Sequence, residues 1–168
     1  VTEAVAIARD AASVLLEIYA TKFSVEFKGK GQSDPVTEAD RRANALIVGR
    51  LRDAFPEDGI IAEESENASS ALGRRRIWYV DPLDGTKEFV AKNGEFSVMI
   101  GLAVDWRAQL GVVLQPSEDL LYTGVVGQGA ELQQCGQSRA LRVSSQARTG
   151  ELSLVVSRSH RPRSRTRS

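Results

Sequence analysis

Histidine, cysteine and methionine each occur only once among the 168 residues of this chain. A single cysteine excludes an internal disulfide framework. The single histidine, His160, lies near the chain end, which disfavours a histidine-based acid–base mechanism or a multi-histidine metal site. Cys135 stands before Gly136 in a predicted hairpin, where an incidental thiol is a better explanation than a nucleophile. Any catalytic chemistry must therefore use other side chains.

Long apolar runs are also missing. No run approaches the ~20 residues of a membrane span, and the N-terminus lacks a basic flank followed by an apolar stretch. We therefore expect a cytoplasmic protein without stable membrane insertion. The chain does not begin with methionine, which suggests a fragment or an unusual start. The sequence leaves the oligomeric state unknown.

The charges balance overall but are unevenly distributed. The chain has 22 basic and 22 acidic side chains, and residues 158–168 hold five arginines and no acid, so residues 1–157 carry 17 basic against 22 acidic residues. An acidic body does not favour a nucleic-acid groove, and we expect no nucleic-acid partner. The basic tail, 158–168, is predicted to be a disordered or out-of-frame end; binding to an anionic surface or to nucleic acid is the alternative.

The most informative stretch holds two carboxylates three residues apart. Asp81 and Asp84 follow an apolar run, Pro82 fixes φ, and Gly85 permits positive φ, so both acids are predicted to point from one tight turn into the same space. A hard cation such as Mg²⁺ would remove their repulsion. Gly85 and Thr86 would then begin a short helix beside the ion. Their N–H groups would be free at the helix start, where they would attract a phosphate. If only the spacing of Asp81 and Asp84 is considered, a solvated loop is the alternative explanation.

A second acidic cluster strengthens the metal hypothesis. Glu63 and Glu64 end another short apolar run, and two strands that end in carboxylates can place them around one ion. Taken alone, the pair would be a surface turn. Together, the two clusters favour a two-metal phosphoester site.

Three motifs carry a family resemblance. Residues 34–40 (DPVTEAD), Glu63 with Glu64, and residues 81–86 (DPLDGT) resemble the three N-terminal signatures of the Mg²⁺-dependent, lithium-sensitive phosphatases of the inositol monophosphatase superfamily. Residues 87–89, 93–96 and 155–160 are similar to the branch of bacterial 3'(2'),5'-bisphosphate nucleotidases. The resemblance runs from about Ala4 to His160.

The resemblance implies roles for individual residues. Glu63, Asp81 and Asp84, with the Leu83 carbonyl, would bind Mg²⁺, and Gly85 and Thr86 would hold the phosphate. Asp40 and the Thr86 hydroxyl would polarise the attacking water. Together with Glu63, these two residues are the implied catalytic residues. Two or three ions per site and inhibition by Li⁺ are expected in this family. Lys30 is a candidate for a metal-linked lid, although a solvated lysine is a slightly better explanation.

The implied activity is Mg²⁺-dependent hydrolysis of a small phosphomonoester. The resemblance favours adenosine 3',5'-bisphosphate, which would give AMP and phosphate; an inositol phosphate or histidinol phosphate phosphatase is the alternative. The family's second α/β lobe, with a further metal ligand, has no counterpart here. We therefore expect impaired activity from this chain unless Glu64 or Asp40 completes the site. The alternative to an enzyme is a fragment that binds metal and anions without catalytic activity.

The implied fold is α+β. Residues 1–157 are predicted to form the N-terminal domain of the sugar-phosphatase fold, in which helices pack on one face of a mostly antiparallel sheet. The apolar spacing predicts a helix over residues 2–20 with Thr2 as a cap, and a second helix that begins at Thr37 with Asp40 in its first turn. The pattern of residues 96–126 predicts an antiparallel meander. Further hairpins are expected after it, and then two short strands at 141–143 and 152–156.

Overall fold

The two long helices begin and end close to the predicted positions. The computed structural model describes residues 1–28, 34–63, 71–153 and 155. Its helices are α1 (Thr2–Tyr19), α2 (Glu38–Ala54) and the short α3 (Thr86–Val90). No helix in this part of the chain is both long and apolar enough to cross a membrane.

In the described part of the chain, nine strands form two sheets. A small antiparallel hairpin pairs β1 (Val25–Lys28) with β2 (Asp34–Thr37). The main sheet holds seven strands in chain order: β3 (Gly59–Ala62), β4 (Arg76–Asp84), β5 (Ser97–Val104), β6 (Arg107–Gln115), β7 (Leu120–Val125), β8 (Gly129–Gln134) and β9 (Gln137–Leu141). Among the strands of the described residues, only β3 and β4 pair in parallel. The mostly antiparallel α+β sheet with packed helices is therefore confirmed.

The core lies between the helices and one face of the sheet. Helices α1 and α2 pack against each other and onto β4, β5 and β6. Alternate strand residues face them because side chains of a strand point to opposite faces: Val98 and Ile100 of β5 are buried, whereas Ser97 and Met99 are only partly covered. Each helix supplies an apolar stripe at three- and four-residue steps, which includes Leu15 and Ile47.

Several local predictions were wrong. Thr2 does not cap α1; the N-cap is Val1, without a side-chain bond. The strand predicted at 141–143 ends at Leu141. The strand predicted at 152–156 is not seen in its described residues, Leu152, Ser153 and Val155. Residues 158–168 lie outside the described part of the chain, so the division into a domain and a basic tail stays a prediction.

Thr37 caps α2 as the sequence predicted. Its hydroxyl oxygen accepts a hydrogen bond from the Ala39 N–H, and the carboxylate of Asp40 accepts one from the Thr37 N–H in return. This reciprocal capping box satisfies two N–H groups that have no partner within the helix. Thr37 and Asp40 are almost fully buried, so the cap also closes one side of the core.

Removal of this cap should destabilise the fold measurably. We expect Thr37→Ala to lower the free energy of unfolding by about 1–2 kcal/mol, because the Ala39 N–H loses its acceptor and Asp40 loses the bond from the Thr37 hydroxyl. Thr2→Ala removes a hydroxyl that caps nothing and should change stability by less than about 0.5 kcal/mol. Urea titrations of both variants measure the difference. An equal loss in the two variants would contradict the assigned cap.

Candidate active site

The parallel pair of strands brings the two acidic clusters together. Ala62 of β3 lies opposite Val80 of β4, and the Glu63 N–H donates to the Val80 carbonyl at 3.1 Å. Because parallel strands run in the same direction, their carboxyl ends meet at one edge of the sheet. Glu63 therefore lies beside Asp81. Glu64, the alternative ligand, lies outside the described residues, as does Lys30.

A bulge in β4, rather than the predicted turn, separates the two aspartates. Asp81 pairs with Met99 and Asp84 with Ser97, so three steps along β4 match two along β5. Pro82 fits in this bulge because it has no N–H to give to the neighbouring strand. The strand continues to Asp84. The structure thus corrects the backbone predicted for residues 81–84 but keeps both carboxylates at the same edge.

Leu83 anchors the bulge. Its side chain is buried, and its N–H donates to Asp81 Oδ1 at 3.1 Å. The Leu83 carbonyl points to the other side of the bulge, where it lies 3.1 Å from the Thr86 hydroxyl. The backbone of one residue therefore orients both a predicted metal ligand and a predicted substrate ligand.

The three acids interact electrostatically. The pKa of Asp81 is raised to about 7, mainly by burial and further by the negative charges of Glu63 and Asp84. Glu63 and Asp84 are exposed, and Asp84 Oδ2 lies 3.5 Å from the hydroxyl of Ser97. This is an excess of negative charge at one edge of the sheet, which a cation would offset.

These residues fit a hard cation by their chemistry. Carboxylate and carbonyl oxygens are the ligands that Mg²⁺ and Ca²⁺ prefer. Within the described residues, no three side chains of His, Cys, Asp or Glu are already assembled into a cage for an ion. Glu63 and Asp84 are exposed, and the Glu63 side chain is hydrogen-bonded to that of Asp81.

A fourth acid reaches the site from α2. Asp40 Oδ1 lies 3.1 Å from the Thr86 hydroxyl, and Asp40 Oδ2 accepts bonds from the N–H of Thr37 at 2.7 Å and from its hydroxyl at 2.6 Å. Burial raises the pKa of Asp40, while the bonds from Thr37 and Thr86 act in the opposite direction. The structure therefore places Asp40 and Thr86 in contact, and their role toward a water stays a prediction.

Gly85 connects the acidic edge to α3. Its φ is +85°, a conformation that glycine adopts without steric cost. A Cβ at this position would lie 2.7 Å from the Glu95 carbonyl oxygen. Only glycine therefore lets the chain fold back this tightly, and α3 starts at Thr86 with its first N–H groups unpaired within the helix.

Ser97 is a site residue that sequence reasoning missed. It begins β5 and lies next to Asp84 because of the β4 bulge. A serine at the start of a strand carries no distinctive pattern, and its place at the site depends on a register shift 13 residues earlier. No signal in the sequence would have identified it.

The fold and the acidic edge together describe the class: an α+β domain with carboxylates at the end of a parallel strand pair. The chain belongs to the inositol monophosphatase family, whose model matches residues 1–168. The chain is 37% identical over 156 residues to a 3'(2'),5'-bisphosphate nucleotidase CysQ from Salmonella typhimurium, and the match covers 92% of this chain and 61% of that relative.

Solved structures agree with this membership. The extragenic suppressor protein suhB from Bartonella henselae superposes with a TM-score of 0.75 at 32% identity, over 86% of this chain and 54% of that one. A structure described as an IMPase/NADP phosphatase complexed with Mg²⁺ and phosphate has the same fold, with a TM-score of 0.66 at 23% identity, over 74% of this chain and 46% of that one. The chain therefore spans little more than half the length of its relatives and matches the N-terminal part of their fold.

Proposed function

We propose that this chain carries the metal- and phosphate-binding part of a Mg²⁺-dependent phosphomonoesterase. One observation carries the proposal: Glu63, Asp81 and Asp84 lie at one edge of the sheet, next to the Asp40–Thr86 pair. Family membership supports it, as does the Mg²⁺ and phosphate in the structure of the IMPase/NADP phosphatase.

The ligands for the ion would be the three carboxylates and the Leu83 carbonyl. Bound Mg²⁺ would supply positive charge that offsets the charge of the phosphate and lowers the pKa of a bound water. Without an ion, three acids at one edge would repel a phosphate. We count Glu63 among the catalytic residues because the family resemblance implies that role and because its carboxylate is exposed to solvent.

The Asp40–Thr86 pair would orient the attacking water. A hydroxyl has one proton, so Thr86 cannot donate to Asp40 and to the Leu83 carbonyl at full strength together. A bond to an ionised carboxylate is the stronger of the two. When Thr86 donates to Asp40, its oxygen is left to accept a proton from water. The N–H groups of Gly85 and Thr86 would hold the phosphate oxygens.

The substrate that we favour is adenosine 3',5'-bisphosphate, which would give AMP and phosphate. The likeness to the 3'(2'),5'-bisphosphate nucleotidase, over 92% of this chain, supports that choice. An inositol phosphate is the second candidate, because the family model itself describes inositol monophosphatases. Histidinol phosphate, also a small phosphomonoester, is the third candidate.

Phosphate release from a small panel tests the proposal. We expect kcat/KM with Mg²⁺ to be highest for adenosine 3',5'-bisphosphate, lower for inositol 1-phosphate and histidinol phosphate, and abolished by a chelator or by Thr86→Val. Asp53→Asn, which removes an exposed acid of α2, serves as the matched control and should keep the activity. Faster hydrolysis of inositol 1-phosphate would overturn the choice of substrate. Mg²⁺ binding without any turnover would favour the metal- and anion-binding alternative.

A further inference from the structure

The short helix α3 needs support from the rest of the fold. It has five residues, too few for a helix that is stable by itself. Phe89 is its buried anchor, and the Phe89 ring lies 5.0 Å from the rings of Tyr19 and Phe23 and 4.9 Å from that of Phe96, between centroids. This aromatic cluster attaches α3 to α1 through Tyr19, while the bonds of the Thr86 hydroxyl to Asp40 and to the Leu83 carbonyl hold the start of α3.

Lys92 supplies a second attachment. It follows α3 by two residues, and its ammonium group donates to the carbonyls of Tyr19 and Thr21, the latter at 3.1 Å. It also lies 4.4 Å from the centroid of the Tyr19 ring and 4.5 Å from that of Phe23, which is cation–π distance. Because α1 ends at Tyr19, the Tyr19 carbonyl belongs to the negative end of the helix dipole, and the Thr21 carbonyl lies two residues beyond it.

The backbone at Lys92 is strained. Its φ is +59°, a region that favours glycine, yet a long side chain occupies it. Such a conformation persists only where the surrounding contacts over-determine it. Here the conformation turns the chain so that the lysine side chain reaches back to the end of α1.

The chain after Lys92 is also held in place. The Gly94 carbonyl accepts bonds from the Ser117 hydroxyl at 2.6 Å and from the Gln115 amide at 3.2 Å. The following residue, Glu95, presents its carbonyl to the Cα side of Gly85. The segment from Gly85 to Glu95 is thus a closed loop with Lys92 as its attachment to α1.

We infer that Lys92 is a positioning residue: its bonds to the end of α1 fix the orientation of α3, and with it the N–H groups of Gly85 and Thr86. The contacts carry this inference by themselves; its consequence for phosphate binding rests on the function proposed above. Lys92 touches neither the acidic edge nor the Asp40–Thr86 pair in the described contacts, so it would act only through α3.

Hydrogen exchange of the full chain tests the inference. In Lys92→Met the stem remains but the charge is lost, and we expect the amides of residues 85–90 to exchange about tenfold faster, while those of β5 stay unchanged. Lys92→Gly should show the same acceleration although it relieves the backbone strain. Lys92→Arg keeps a cation and donors and should restore slow exchange. Lys22→Met, an exposed lysine on the same surface, is the matched control.

The outcomes separate the two proposals. Unchanged exchange at residues 85–90 in Lys92→Met would overturn the inference, and so would faster exchange of β5 by the same factor, since that would show a general loss of stability. Addition of inorganic phosphate with Mg²⁺ to the unaltered chain should slow exchange at residues 85–86. If it does not, the proposed phosphate site fails, while the comparison of variants still decides the role of Lys92.

Discussion

Asp81→Asn should lower the affinity of the chain for Mg²⁺ by more than about 100-fold. Loss of a residue that only orients a metal ligand typically costs 10–100-fold in affinity, and Asp81 is proposed to bind the ion directly. Its carboxylate also lies deepest of the three acids, half-buried between exposed Glu63 and Asp84. Isothermal titration with Mg²⁺ measures the change.

The fold itself should survive this substitution. Asn has the same shape as Asp and removes one of three neighbouring negative charges, so the repulsion at the edge of the sheet falls. Thermal unfolding without metal should therefore show Asp81→Asn at least as stable as the unaltered chain. Asp53→Asn is the matched control and should leave Mg²⁺ affinity unchanged. Equal Mg²⁺ affinity in Asp81→Asn and the unaltered chain would refute the assigned ligand.

Gly85→Ala should be the most damaging single-methyl change in the site. Alanine would have to keep the left-handed backbone conformation of Gly85, and its Cβ would lie 2.7 Å from the Glu95 carbonyl oxygen. The two effects together should cost about 2–5 kcal/mol of the free energy of unfolding. Because the backbone must shift to relieve the contact, the N–H groups of residues 85 and 86 should move as well, and phosphate binding should weaken.

Gly127→Ala separates strain from steric contact. Gly127 has a similar φ of +79°, but no atom lies within 4 Å of the place where its Cβ would be. It should therefore lose only the conformational part, about 1–2 kcal/mol. Urea denaturation of both variants gives the difference. The same loss in both would show that Gly85 is required for its φ alone and that the close approach of Glu95 is of no consequence.

Local signals predicted much of the fold. The cap at Thr37 and the place of Asp40 in the first turn of α2 follow from side chains within three residues of each other, and both are confirmed. Apolar spacing likewise located α1 and the meander of β5 to β7. Thr2 was wrongly taken as a cap because a threonine before an apolar stripe looks the same whether the helix begins before or after it.

Features that depend on strand pairing were harder to predict. The bulge between Asp81 and Asp84 arises from the register of β4 against β5, and this register also brings Ser97 to the site. The sequence shows Pro82 and Gly85, which fit a turn as well as a bulged strand. The contact of Lys92 with the end of α1 joins residues more than 70 positions apart. No local pattern encodes such a contact.

The central claim is that one ion binds at the edge formed by Glu63, Asp81 and Asp84. Mn²⁺ prefers the same oxygen ligands as Mg²⁺ and is paramagnetic, so it broadens the amide signals of nearby residues. A titration of the ¹⁵N-labelled chain with Mn²⁺ should first broaden the signals of residues 63, 81 and 83–86, and excess Mg²⁺ should restore them. Broadening that begins elsewhere, or that spreads evenly over the exposed acids, would contradict the claim.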